Sequence, residues 1–406
     1  MQFIRLLSVI CLICIETPVH GSWQFLNLFP GITRSNSPSF NIGYSAYLVS
    51  GVDCNWITDV WCYNSVANAW TQKATFPGLG RGNAAGFSIG TKGYIGVGNG
   101  GGINLNDFWE YDANLNSWQP KASLPALPRS MPIAFAINGK GYIGGGCNAT
   151  NLTQYTDFWE YDPVTDNWSS RSSIPGAGMI NCVSYSLGNK GYYGAGSRTP
   201  GYQQANEFYE YNPLTDIWTA RANFPGSSRF GASYFAIGTK GYVISGNDTN
   251  NFYTNECWEY NSISDQWIQM QDFPGIARKL AIGFSIGNNG FVAMGKDSNN
   301  TLIQDMWQFN STNVGLIDTF SSLSITHLFP NPADMSVIIE YSTPKSNLHS
   351  ELLIYKSNGK LIKKYFLSQH TDKIRIPTHE FDSGIYLVQV KYDGASSESK
   401  KLLIRH

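Results

Sequence analysis

The chain has 406 residues with 28 Lys+Arg against 29 Asp+Glu, and a net charge of -1 gives no electrostatic reason to expect nucleic acid or an acidic membrane surface as partner. Charged residues make up 14% and aromatics another 14%, with 41 Gly, which excludes a disordered chain and a coiled coil. That balance favours an all-β protein rich in tight turns.

All 12 Trp lie at or before Trp307. Residues 325–406 carry 11 Lys+Arg and 8 Asp+Glu, whereas residues 1–324 carry 17 and 21. Two chemically different segments are therefore joined between Phe309 and Leu328.

Residues 1–21 read as a secretory signal peptide, with Arg5 before the apolar Leu6–Ile15 and a cleavage site at Val19-His20-Gly21. That apolar run is too short to span a bilayer, which takes roughly 20 residues. No later stretch qualifies, so no transmembrane segment is expected. After cleavage five Cys remain: Cys54, Cys62, Cys147, Cys182 and Cys257. No CxxC pair occurs, so no metal site is expected. A Cys54–Cys62 bridge and buried free thiols both fit the spacing.

From Trp23 onward the chain repeats. An acidic-x-aromatic-x-aromatic motif appears at Asp59–Tyr63, Asp107–Tyr111, Asp157–Tyr161, Glu207–Tyr211, Glu256–Tyr260 and Asp305–Phe309. Its central aromatics are spaced 48, 50, 50, 49 and 49 residues apart. An apolar run ending in Gly precedes each copy, as in Lys92–Gly98. A Trp follows the first five, at Trp70, Trp118, Trp168, Trp218 and Trp267, and then a Phe-Pro-Gly-like turn. Each unit thus holds four short runs separated by hairpin residues such as Gly90-Thr91-Lys92-Gly93 and Asp162-Pro163-Val164-Thr165-Asp166. A four-stranded antiparallel sheet every ~50 residues is a propeller blade by its period. The sixth motif has no following Trp run, but Trp23–Gly31 repeats the pattern of Trp70–Gly78. The N-terminal strand is therefore predicted to complete the last of six blades and close the ring, leaving no bare sheet face.

These residues resemble the kelch-repeat family over about residues 22–310. The resemblance rests on the small-Gly pair ending the second run, the Tyr-Asp/Asn-Pro-x-Thr-x-x-Trp stretch and the Pro-x-x-x-Arg after the fourth. The family's Gly-Gly stands only at Gly145-Gly146. The expected fold is all-β: a six-bladed kelch-type β-propeller over 22–312, a linker at 313–325, and a small C-terminal β-sandwich over 326–406.

Antiparallel connectivity puts the short first–second and third–fourth turns on one face. The longer, varied loops fall on the other, where binding normally resides. That second face carries Arg34, Arg81, Arg129, Arg229 and Arg278 at the start of the first runs, with Met179 in the fourth unit. In one reading these Arg bond loop carbonyls or the acid that opens the third run. In the other they ring the channel mouth as donors for a carboxylate-bearing ligand. The kelch resemblance implies that this rim takes acidic sugars or acidic peptides. Trp56, Tyr155, Tyr202, Phe252 and Tyr253 in the loops are candidates for stacking on sugar faces or for loop packing.

No catalytic residue is assigned. The six His (20, 327, 349, 370, 379 and 406) lie outside the propeller repeats, which removes the ligands of a galactose-oxidase-type copper site and any Ser-His-Asp arrangement. No cofactor motif is present, so no cofactor is expected. The surviving enzyme option is a kelch-type sugar epimerase or mutarotase.

The tail carries alternating strands at 337–341, 352–355, 359–367, 373–376, 384–390 and 400–404, with Asn358-Gly359 as a hairpin signal. Phe329-Pro330-Asn331-Pro332-Ala333, Asp382–Val388 and Lys400–Ile404 resemble the type A sorting domain of the type IX secretion system of Bacteroidota. The resemblance implies Sec export, passage across the outer membrane through the type IX machinery, and release or attachment at the cell surface. The chain then reads as a secreted or surface binding module for an extracellular glycan or protein; the alternatives are the epimerase or mutarotase and a structural adhesion element.

Overall fold

The computed structural model describes residues 20–198, 203–227, 229–248, 250–314, 324–342, 350–356, 360–367, 371–392, 395–396 and 400–406. Residues 1–19 of the expected signal peptide and the Asn358-Gly359 turn lie outside them. The chain divides into two compact units, Met1–Val314 and Gly315–His406. The described residues contain strands and no helix.

In the first unit the described residues form six four-stranded antiparallel sheets. Their innermost strands are Ser39–Ile42, Ala85–Ile89, Ile133–Ile137, Val183–Leu187, Ser233–Ile237 and Ile282–Ile286, here numbered sheets 1 to 6. Each innermost strand packs against that of the next sheet, and sheet 6 packs against sheet 1. The outermost strand of sheet 6 is His20–Phe25, paired antiparallel with Met306–Val314 across an irregularity between His20 and Ser22, so both ends of the unit meet in one sheet. It starts two residues inside the segment read as signal peptide, which places His20 in sheet 6 and not outside the repeats. This is a β-propeller-like arrangement.

Sequence alternation explains the packing. In each innermost strand one side chain of the alternation is a large aromatic turned into the space between sheets: Phe40, Phe87, Phe135, Tyr185, Phe235 and Phe284, all at most 5% exposed. The second strand of the next sheet answers with a glycine: a Cβ on Gly93 would sit 2.1 Å from the Phe40 ring. The Trp opening the fourth strand joins neighbours as well. Trp118, Trp168 and Trp267 donate through Nε1 to Ala74, Ala122 and Ala222 carbonyls of the preceding sheet. The turn residues Asn116, Asp166 and Asp265 accept from the backbone N–H of those same three alanines. The Tyr-Asp/Asn-Pro-x-Thr-x-x-Trp stretch is thus a staple between sheets.

The second strands stop earlier than their apolar runs suggest, at Gly96 rather than Gly98 in sheet 2. The small-Gly pair takes positive φ at both residues in five sheets, for example Val97 at 53° and Gly98 at 95°, which ends the strand and turns its last carbonyl inward. Sheet 4 differs. There Lys190–Arg198 and Gln203–Asn212 run on past a bulge at Gly194/Gly196 as a longer hairpin.

The second unit is two antiparallel sheets over a core including Val337, Ile339, Leu352, Ile354, Val388 and Ile404. The strand Ser324–Phe329 begins in the last two residues of the segment read as linker, 313–325, and Met306–Val314 ends two residues beyond 312. The Asn-Pro-Ala motif and the C-terminal strand hold each other. Asn331 donates to the Lys401 carbonyl and accepts from the Leu403 N–H, each at 2.8 Å, while Ala333 pairs with Ile404 in parallel.

Candidate functional site

The five arginines do not ring an open mouth. Their side chains are at most 1% exposed. Each bonds the acid that opens the third strand of its own sheet: Asp59, Asp107, Asp157, Glu256 or Asp305. Arg81 shows the full set. Its Nε donates to the Leu79 carbonyl at 3.0 Å, Nη1 to the Val97 carbonyl at 3.0 Å, and the fork to Asp107 at 2.6 and 2.7 Å. The guanidinium also lies 4.9 Å from the centroid of the Phe76 ring. The inward carbonyl is the one that the left-handed Val97 turns toward it, so the small-Gly pair and the Arg form one device. The expectation of a carboxylate-binding ring at these residues is therefore corrected. Their donors are spent inside each sheet, because a buried guanidinium must be paired there.

Sheet 4 lacks this Arg and solves the problem from another position. Met179 is buried, and Arg198, from the extended second strand, bonds Glu207 at 2.9 Å instead. Sequence reading missed Arg198 because it lies outside the repeat register.

Burial alone would raise the Asp107, Asp157 and Glu256 carboxyls, but hydrogen bonds from their Arg and Trp partners hold all three below the usual carboxylate range. A carboxyl depressed on folding contributes stability above its unfolded pKa of about 4, and the contribution is lost as pH falls through the lower folded value. The urea midpoint of Trp fluorescence is therefore expected to stay level from pH 8 to 6 and to fall steeply below about pH 4. A midpoint unchanged between pH 7 and pH 3 would contradict this assignment.

The loop aromatics divide. Trp56 is 38% and Phe252 69% exposed. Tyr155 lies under the Arg129 guanidinium at 4.9 Å, and Tyr253 under Lys279 at 5.2 Å, so each ring has one face against a cation of the protein itself. Tyr202 lies outside the described residues. All five cysteines after residue 21 are free, so Cys54 and Cys62 are not bridged. Burial pushes the Cys147 thiol up to about 11 and that of Cys182 up to about 12, which keeps both protonated at neutral pH.

What the six sheets do bring together is an axial channel. Its collar is the residue two after each Arg position, all with positive φ: Asn36, Asn83, Met131, Asn181, Gly231 and Leu280. Backbone N–H groups bond around it, from Asn83 to Asn36, Met131 to Asn83, Leu280 to Gly231 and Asn36 to Leu280. Inside the collar is a cavity of about 130 Å³, followed by one of about 330 Å³ between the innermost strands. Side chains facing the larger chamber are small and uncharged, among them Ser39, Ser88, Ala136, Ser186 and Ser285. Phe40, Phe87, Phe135, Tyr185, Phe235 and Phe284 also border the chamber, and Tyr234 borders both cavities at a position held by Ser, Gly or Ala in the other sheets. Burial raises its phenol above the ordinary value despite a hydrogen-bonding neighbour in Ser184.

Residues 327–405 match the family described as the secretion system C-terminal sorting domain. The tail is thus a type IX sorting domain, which marks the chain for secretion or attachment at the cell surface through the secretion machinery. Among solved structures, one titled "Structure of YjhT" is similar with a TM-score of 0.60 at 17% identity, covering 70% of this chain and 97% of its own. At that identity the likeness concerns the fold. No curated protein matches the chain in sequence. No helix among the described residues is long and apolar enough to cross a membrane.

Proposed function

We propose that the chain is an exported binding protein. Its first unit is a six-bladed kelch-type propeller that presents one face to an extracellular glycan or protein. Its sorting domain brings that face to the outside through type IX secretion, after a Sec signal peptide at residues 1–21. The carrying observation is the apolar surface gathered on the face of the long loops. Ile32, Leu79, Leu127 and Ile276 precede the buried arginines by two residues and are 53–64% exposed. They fall on four consecutive sheets, 6, 1, 2 and 3, with Trp56 beside them on sheet 1. The turns of the opposite face also expose Val66, Leu115, Val164, Leu214 and Ile263, at 73–90%, but on short turns of near-constant sequence. What favours the long-loop face is that its apolar residues stand among the long, varied loops, where binding normally resides.

The epimerase or mutarotase alternative needs a free Arg–Glu pair. Here the five Arg are sealed, and Glu110, Glu210 and Glu259 are buried in the sheets, each accepting a Tyr hydroxyl at 2.7–2.8 Å, while the partly exposed Arg198 and Glu207 of sheet 4 are bonded to each other at 2.9 Å. A purely structural adhesion element would need no ligand on this face.

The test is a glycan array and a pull-down from the cell surroundings with the mature chain. Leu79→Glu/Leu127→Glu and Trp56→Ala are expected to weaken capture at least tenfold. Val164→Glu and Leu214→Glu, at exposed tips of the opposite turns, serve as controls expected to leave it unchanged. Equal loss in both sets, or in neither, refutes a loop-face site.

A further inference from the structure

We propose that the larger chamber of the channel is itself a binding site for one neutral, polyhydroxylated small molecule of monosaccharide or cyclitol size, and that it rejects the corresponding acids. This goes beyond the loop-face reading, because the residues concerned lie on the innermost strands and not on the loops.

The chamber volume of about 330 Å³ is at the lower end of the range for small-molecule pockets. Its lining supplies hydroxyls from Ser39, Ser88, Ser186 and Ser285, with the Tyr234 ring at one end. None of its lining residues is Asp, Glu, Lys, Arg or His. Asn41 bridges sheets: its Nδ2 donates to the Ser285 carbonyl at 2.7 Å, while its Oδ1 is buried with no hydrogen-bond partner. Sugar hydroxyls donate and accept at several points without charge, which suits such a wall.

Charge decides the class. A carboxylate entering this chamber would leave water without meeting a cation. The five guanidiniums that might have met it are already closed on Asp59, Asp107, Asp157, Glu256 and Asp305. The same pairing that removes the arginine ring therefore makes the channel selective for neutral ligands.

Saturation-transfer NMR on the mature full chain tests this. The neutral probes are glucose, galactose, mannose, N-acetylglucosamine and myo-inositol; the acidic probes are glucuronate and N-acetylneuraminate. At least one neutral probe is expected to show transfer and neither acid to do so. Ala136→Leu fills the chamber from a channel-facing position and should weaken the neutral probe at least tenfold. Ser88→Leu repeats the block from sheet 2 if Ala136→Leu fails to fold. Trp56→Ala should leave the signal unchanged. A chamber holding water alone gives no transfer from any neutral probe, and that result overturns the proposal. Acids bound as well as neutrals overturn it too. A signal that survives both blocking variants but is lost with Trp56→Ala refutes the chamber while leaving the loop face standing.

Discussion

Asp107→Ala is expected to destabilise the first unit by about 3–5 kcal/mol, the cost of stripping a buried ion of its partner. Arg81 is wholly buried, so removing the carboxylate leaves an uncompensated cation beside Val97 and Phe76. The reverse change, Arg81→Met, is expected to cost less. The Asp107 side chain is 36% exposed and keeps the Trp109 Nε1 as donor at 2.8 Å, so the orphaned carboxylate has water and a partner. Combining the two should recover most of the loss, since an apolar replacement of a whole ion pair is often close to neutral. Sheet 4 already carries the apolar half of that experiment, with Met179 buried where the other sheets have Arg. Urea denaturation of the two single variants and the double variant reads all three terms. Strict additivity, or a greater loss in Arg81→Met than in Asp107→Ala, would show that the pair is not the device described.

Deleting Lys400–His406 is expected to abolish export, with the protein accumulating inside the outer membrane. The strand Lys400–Ile404 pairs with Gly384–Tyr392 and buries Leu402 and Ile404, each 1% exposed. Loss of one such side chain costs about 2–5 kcal/mol, and small domains have only about 5–15 kcal/mol in total. The deletion also strips Asn331 of both its partners and Ala333 of its strand. The motif at the start of the sorting domain therefore has no fixed shape without the strand at its end. Asn331→Ala, which removes two hydrogen bonds and no apolar area, should lower export in part. Cell fractionation and blotting separate the outcomes, and normal export of the seven-residue deletion would refute the coupling.

Much of this architecture is written locally. The acidic-x-aromatic-x-aromatic motif, the Trp after it and the hairpin residues recur at a fixed period, and each governs neighbours in its own sheet or the next. The strand Trp23 opens can be paired with the last unit from sequence because its Trp-to-Gly pattern is complete. The alternation that places Phe87 between sheets and Ser88 in the channel follows from the two-residue period of a strand. The sorting domain is legible for a similar reason, since its motifs stand in order along one short segment.

The candidate site was less legible, because it depends on which distant residues meet. Five arginines at equivalent positions look alike whether they face solvent or a carboxylate 25 to 28 residues on. Only the folded sheet decides, by turning the Val97 carbonyl and Asp107 onto one guanidinium with no water between. Arg198 answers Glu207 from outside the repeat register, and Tyr234 is one bulky residue at a position small in the other sheets, whose effect exists only when six strands surround it. The sequence alone determined the repeat, its number of copies and the exported tail, because those follow from local pattern. Tertiary structure decided where charge is cancelled and what lines the channel, because burial and pairing are properties of residues brought together from separate sheets.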